Sequence, residues 1–437
     1  MTKSSQSRSH RGRRPYLGHR RYRRGLIVGS ACITAALVAA GCGSSGSGAA
    51  GSGGAKSPVK VGFLVNLTGT DIQYPDGLAG AKAAVRGINA RGGIDGHPLQ
   101  LEWCDVQSDV NTAESCARQM VSDGVAAVTG NQDNYGPQQT AIEQASGIPD
   151  IANDTMDASS EFTSPIEFPR SSGATGLFAA GVYYGLKVAK PAQKTFAFVG
   201  VQIPIVSALA QSTEQSVVKN GGVWKGSVEM PVTTTSFAPY VAAAASKHAD
   251  ITLLAMSGQQ IAEFALAAEQ AGDDFTTFST AVAFPTSLLK TLDPTSAFAR
   301  HMLFSADLPP WTATAQFPLL KQFDSDIQAE AKSGDKYAAP GYYSLAMLNA
   351  WYAVHMFAVV ADQIHGTVDA KTMLTQLHKV SNLNFGLPPA WSPNVSGPPG
   401  FTRVSPSAWD EYMLTLVNGE FALAYPKPFS VEQFVAG

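Results

Sequence analysis

A catalytic nucleophile with its base, a cluster of metal ligands or a phosphate-cradling loop would each leave residues of particular types at fixed spacing. The part of this 437-residue chain that reads as folded contains no G-x-S-x-G, no H-E-x-x-H and no P-loop string. Its six histidines, His97, His248, His301, His355, His365 and His378, are scattered without metal-ligand spacing and read as structural or solvated. No catalytic residue, no metal and no cofactor is therefore expected. What remains are polar residues gathered directly after short apolar runs, in stretches 66–76, 130–136 and 153–156. Side chains of these types hold a small molecule by hydrogen bonds and ring contacts without transforming it.

The elements that position those stretches are legible from periodicity. Val59-Lys60-Val61-Gly62-Phe63-Leu64-Val65 is a buried-type strand. Leu78, Ala81, Val85 and Ile88 follow at helical spacing, and glycines at 92, 93 and 96 end that helix and turn the chain. A strand from Pro98 to Trp103, a helix marked by Val110, Ala113, Ala117, Met120 and Val121, a strand at 125–129, a helix at 137–145 and a strand at 148–152 complete four strands alternating with three helices. This alternation predicts a doubly wound parallel sheet, with ligands at the carboxyl ends of its strands.

Around Phe168-Pro169-Arg170 the pattern restarts. Helices at 175–188, 206–219, 240–247 and 259–271 alternate with strands at 195–200, 223–230, 250–256 and 275–279, which predicts a second α/β lobe. Beyond residue 315 come long helices, among them 342–360, then a Pro-rich stretch and a closing hairpin about Asn418-Gly419, a type I′ turn signal. A tail too short for a third unit is shared between the lobes. The expected division is lobe 1 at 58–171, lobe 2 at 172–309, a return to lobe 1 at 310–384 and a return to lobe 2 at 385–437.

The amino-terminal part reads differently. Residues 1–41 hold nine Lys and Arg and no acid; the rest carries 22 basic against 34 acidic residues, an acidic body that argues against nucleic acid as a partner. The basic run leads into an apolar segment of about 16 residues, short of the roughly 20 that span a bilayer, and ends at Ala39-Ala40-Gly41-Cys42. An export signal over 1–41, a lipid anchor on Cys42 and a flexible Gly/Ser tether over 42–57 are expected, placing the protein on the outer face of the cell membrane. Cys104 and Cys116 are the only cysteines of the body, one strand-to-helix loop apart in an oxidising setting, and are expected to pair.

Taken with Leu67-Thr68-Gly69, Asp105, the run from Ile88 to Gly96, Ala145-Ser146-Gly147-Ile148-Pro149 and Pro340-Gly341-Tyr342-Tyr343-Ser344, the first strand resembles the type I periplasmic binding proteins of the leucine/isoleucine/valine group, solute receptors of ABC importers. The resemblance covers roughly residues 59–424, strongest in the first lobe. It implies two Rossmann-like doubly wound lobes joined by three crossovers and closing on a ligand, with ABC permease subunits as partners. It also implies roles for Tyr74, Asp133, Asn134, Asp154, Thr155 and Tyr342 in the cleft. Asp133 could equally cap the helix beginning near Pro137. Gln202 and Ser257 follow second-lobe strands and complete the candidate set. Where the family often shows a Tyr-Gly pair and a later acid in that lobe, this chain has Val201-Gln202-Ile203-Pro204 and Ala281-Val282-Ala283-Phe284. With Asp133 and Asp154 placed to repel a carboxylate, the ligand expected is small, polar and neutral or cationic, such as an amide, polyol or amine. A receptor signalling to a membrane partner is the alternative to transport, and a secreted hydrolase a remote one.

Overall fold

The computed structural model describes residues 56–153, 160–273, 275–282, 284–292 and 297–435. Two sheets organise it. The first contains β1 (Val59–Val65), β2 (Leu99–Asp105), β3 (Ala127–Thr129), β4 (Asp150–Ile151) and β5 (Glu167–Phe168), in the order β2-β1-β3-β4-β5 and parallel throughout. Its connections run through α1 (Pro75–Ala90), α2 (Val110–Asp123) and α3 (Gly136–Ser146). Pro opens α1 and stands in the first turn of α3, while α2 is capped by Asp109.

The second sheet takes its central strands from β6 (Thr195–Val201), β7 (Val223–Met230), β8 (Ile251–Ala255), β9 (Thr276–Thr280) and β10 (Met302–Ala306), all parallel. Around them run α4 (Gly173–Tyr183), which passes into a π-helical turn at Tyr184–Val188, α5 (Pro204–Lys219), α6 (Ala238–Ala245), α7 (Gly258–Ala271), α8 (Thr286–Leu289) and α9 (Ala297–Arg300). After β10 the chain builds α10 (Leu319–Lys332), α11 (Leu345–Ala361) and α12 (Ala370–Leu377), then returns to the second sheet as the antiparallel β11 (Asp410–Val417), β12 (Glu420–Leu423) and β13 (Phe429–Ser430). The sheet order is β12-β11-β10-β9-β8-β6-β7, with β13 on β11.

Helix α11 is apolar on all sides and almost wholly buried, and it packs along α1. Their approach demands glycine, because a Cβ at Gly80 would lie 2.2 Å from the Met347 carbonyl oxygen. Gln132 Nε2 donates to the Ala346 carbonyl at 2.7 Å, tying the end of α11 to the loop after β3. The chain therefore passes between the sheets after β5, after β10 and before β11, the two-lobed doubly wound architecture the alternation predicts. Strands β5 and β10 are additions to that reading. The first has two residues and the second lies next to the positions where the periodicity faded. Asn418 and Gly419 both have positive φ, 53° and 75°, as a type I′ hairpin requires. Cys104 and Cys116 are disulfide-bonded, with Cα atoms 5.6 Å apart.

Candidate functional site

The loop from β1 to α1 is fixed by two polar residues. Asn66 is buried and donates through Nδ2 to the Ile72 carbonyl at 2.9 Å, while its Oδ1 accepts from Ser108 N at 2.7 Å. Asp105, at the end of β2, accepts from the Thr68 hydroxyl at 2.7 Å and from the backbone N–H groups of Leu67 and Gln107. Partial burial pushes its carboxyl up, but these donors outweigh burial and hold it below the usual carboxylate range. Gly69 takes φ 109°, and a side chain there would strike Ser108. Thr70 to Tyr74 are thus held as a rigid rim.

That rim closes one side of a cavity of about 930 Å³ whose other walls belong to the second lobe. Asp71 stands on the rim, its Oδ2 accepting from the Tyr135 hydroxyl at 3.0 Å and from Asn134 Nδ2 at 3.5 Å. Burial and the Asp71 carboxylate together push the Tyr135 phenol above its ordinary value. Opposite lie Val201, Leu254 and Met256 at strand ends, Leu177 and Phe178 of α4, and Ile205, Val206 and Leu209 of the first turns of α5. Val282, Phe284 and Leu288 close the far wall, and Thr233, Thr234 and Thr235 add hydroxyls after β7. Among the described lining residues Asp71 is the one carboxylate, and no Lys, Arg or His is present.

Of the candidates drawn from sequence, Tyr74, Asn134 and Ser257 line this cavity. Ser257 is also the N-cap of α7, in a reciprocal capping box with Gln260. Asp133 does not line it: its two oxygens accept from Tyr135 N at 2.7 Å and Gln139 Nε2 at 2.9 Å, the local role at the start of α3 that competes with ligand binding. Burial first, then the neighbouring Asp71 charge, raises its pKa to about 6 against the hydrogen bonds that lower it. Gln202 is exposed and outside the lining, because β6 ends with Val201 facing inward and alternation turns Gln202 away. Tyr342 is also outside it, 37% exposed and packed edge-on against Tyr337. Asp154, Thr155 and Cys42 lie outside the described residues.

Reasoning from sequence missed Asp71, although it sits in the loop singled out, and missed the apolar wall entirely. Thr233-Thr234-Thr235, three hydroxyls directly after a strand, gave one signal that could have been read. Where a polar ligand was expected, most of the lining is hydrocarbon.

Two α/β lobes, each contributing to one ligand-sized cavity, with walls that are mainly apolar and polar groups both at the first-lobe rim and in the second-lobe loops, define a cleft-type binding protein. The chain belongs to the periplasmic binding protein family, whose model matches residues 58–418. A stretch of 74 residues is 38% identical to the Leu/Ile/Val-binding protein of Escherichia coli, covering 17% of this chain and 20% of that protein's length. Among solved structures, the chain is similar to a fatty acid ABC transporter substrate-binding protein from Thermomonospora curvata, with a TM-score of 0.72 and 15% identity over 86% of this chain and 94% of that one. It is also similar to a branched-chain amino acid transporter substrate-binding protein from Streptococcus pneumoniae in complex with isoleucine, with a TM-score of 0.64 and 16% identity over 86% and 99%. At these identities the likeness is one of fold.

Proposed function

We propose that this chain is the ligand-capturing component of an ABC importer, and that its ligand carries an extended apolar body with a neutral or cationic polar end. The cavity carries this reading. Its volume of about 930 Å³ lies at the upper end of the roughly 300–1,000 Å³ typical of small-molecule sites. Leu177, Phe178, Leu209, Leu254 and Phe284 offer a hydrocarbon wall larger than a branched-chain amino acid needs. At the rim an ionised head would meet the Asp71 carboxylate and no basic residue among the described lining, which disfavours a free carboxylate and favours an amine, amide or hydroxyl. The aliphatic body suits the class named for the Thermomonospora curvata structure; the head group differs.

Mass spectrometry of small molecules released from the purified, denatured chain tests the assignment. An amphiphile without a free carboxylate is the expected result, and leucine, isoleucine or valine alone would overturn it. Delivery at the membrane rests on lipidation of Cys42, for which the apolar run ending in Ala-Ala-Gly-Cys and the Gly/Ser tether are the support. Cys42→Ala should release the protein from membranes or block its processing, and retention at normal mature size would refute the anchor.

A further inference from the structure

Three carboxylates that line no part of the cavity converge inside the first lobe. Glu143 comes from α3, Asp150 from β4 and Glu167 from β5, and one oxygen from each lies within 4.8 Å of the others. They are 0%, 2% and 2% exposed. Asp150 and Glu167 are register partners on neighbouring parallel strands, so their side chains leave the sheet on one face and cannot separate without breaking the pairing. Neither oxygen of Glu143, nor Asp150 Oδ1, accepts from a donor outside the cluster; the neighbour each faces is the other's carboxyl group. The other Asp150 oxygen accepts from Asn131 and Asn153, and Glu167 Oε1 accepts from the Thr140 hydroxyl at 2.7 Å. Among the described residues no Lys, Arg or His forms an ion pair with any of the three. The further charges that face them are those of Asp133 and Glu161, both acids.

Buried carboxylates left without donors are costly unless something positive joins them. Protons are one source. Burial first, and repulsion by neighbouring acids, raises all three and favours their protonated forms. A cation is the other source: the three oxygens that lie within 4.8 Å of one another make an all-oxygen set, with no nitrogen or sulfur ligand, on the one buried spot where Glu143 has no donor from outside the cluster. We propose that Glu143, Asp150 and Glu167 form a site for one hard divalent cation, Ca²⁺ or Mg²⁺, which fastens α3 to the β4–β5 edge. The site is separate from the ligand cavity, and its test does not depend on the ligand's identity.

The full chain is stripped with a chelator, dialysed at pH 7.5 and supplied with CaCl₂ or MgCl₂ at matched ionic strength. Atomic emission should then count one metal ion per chain, and thermal unfolding should move up by about 3 °C or more at saturation. Glu143→Gln keeps the shape and removes a ligand charge, and should weaken binding at least about tenfold. The wild-type metal count stands as an independent readout if that variant folds poorly. No bound metal and no shift with either salt would overturn the site. So would equal affinity in Glu143→Gln, or a wild-type chain stabilised only by acidification, which would show that protons hold the cluster neutral.

Discussion

Asp71→Asn should erase a preference between amphiphiles that share a tail and differ only in head-group charge. Asp71 is the one carboxylate of the described cavity lining, and Tyr135 and Asn134 hold its Oδ2 in place at 3.0 and 3.5 Å. An ammonium seated about 4 Å away gains roughly 4 kcal/mol at an effective dielectric near 20, and a carboxylate loses as much. The rim is only partly buried and salt screens it, so halving each figure leaves a gap of about 4 kcal/mol, or roughly 10³ in Kd, between dodecylamine and dodecanoate. Dodecanol should fall between them. Because the tail is common to all three, its burial cancels in the comparison. The assay is displacement of a neutral naphthylamine dye from the full chain, followed by fluorescence. In Asp71→Asn the three affinities should collapse to within about tenfold. Dodecanoate binding the wild type as tightly as dodecylamine would refute the electrostatic reasoning, as would a gap unchanged in the variant. Failure of dye and amphiphiles alike to bind would refute the apolar-bodied ligand itself.

Removing the Cys104–Cys116 bridge by a paired change to Ser reopens a loop of sequence separation 12 and should cost about 3 kcal/mol in denaturant unfolding; no loss would show that the bridge does not constrain the unfolded chain. Asp76 is buried at the start of α1, where loss of solvent raises its pKa to about 6 despite the Ser344 hydroxyl bond. Its folded form thus holds a proton that the unfolded form has lost between about pH 4 and 6, and stability falls as pH rises through that window. Asp76→Asn should gain up to about 3 kcal/mol on the wild type between pH 4 and 7, and a pH-independent difference would contradict this. Arg170 Nη2 meets Asp307 at 2.6 Å where two interlobe crossovers run side by side, with Glu411 close enough for its charge to be felt. Asp307→Asn should cost less than the roughly 3–5 kcal/mol of an unpaired buried charge, because Glu411 can ionise in its place, and adding Glu411→Gln should bring the full loss. Equal losses for single and double variants would exclude that substitution of partners.

Periodicity carried the strands and helices that are long or strongly patterned. β1, α2, β7 and α7 lie within a residue or two of where apolar spacing places them, because each buries one continuous face. β5 was invisible, since two residues have no period, and its strand character comes from pairing with β4 alone. β10 pairs on both sides, with β9 and β11, and that tertiary context leaves no local signature. The acidic cluster escaped for a related reason: Glu143, Asp150 and Glu167 are spaced irregularly in sequence and become neighbours only when β4 and β5 pair beneath α3.

The site divides along the same line. Tyr74 and Asn134, implied by the family resemblance, do line the cavity, whereas Leu254 lay inside an expected strand with nothing to mark it and, like Phe284, is wholly buried. Their double role follows from the fold. A residue at the carboxyl end of a central strand faces packed helices on one side and the cleft at its tip, so one hydrocarbon side chain both completes the core and lines the cavity. Two segments nevertheless held the clue. Val201 to Pro204 and Ala281 to Phe284 are where the sequence departs from the aromatic and acidic residues that the family resemblance leads one to expect. In the folded protein Val201, Ile203, Val282 and Phe284 all line the cavity. Those departures therefore do more than remove contacts for an amino acid's ammonium. They replace them with hydrocarbon at the same strand ends, and a ligand that gains from that wall must bring apolar surface of its own to bury.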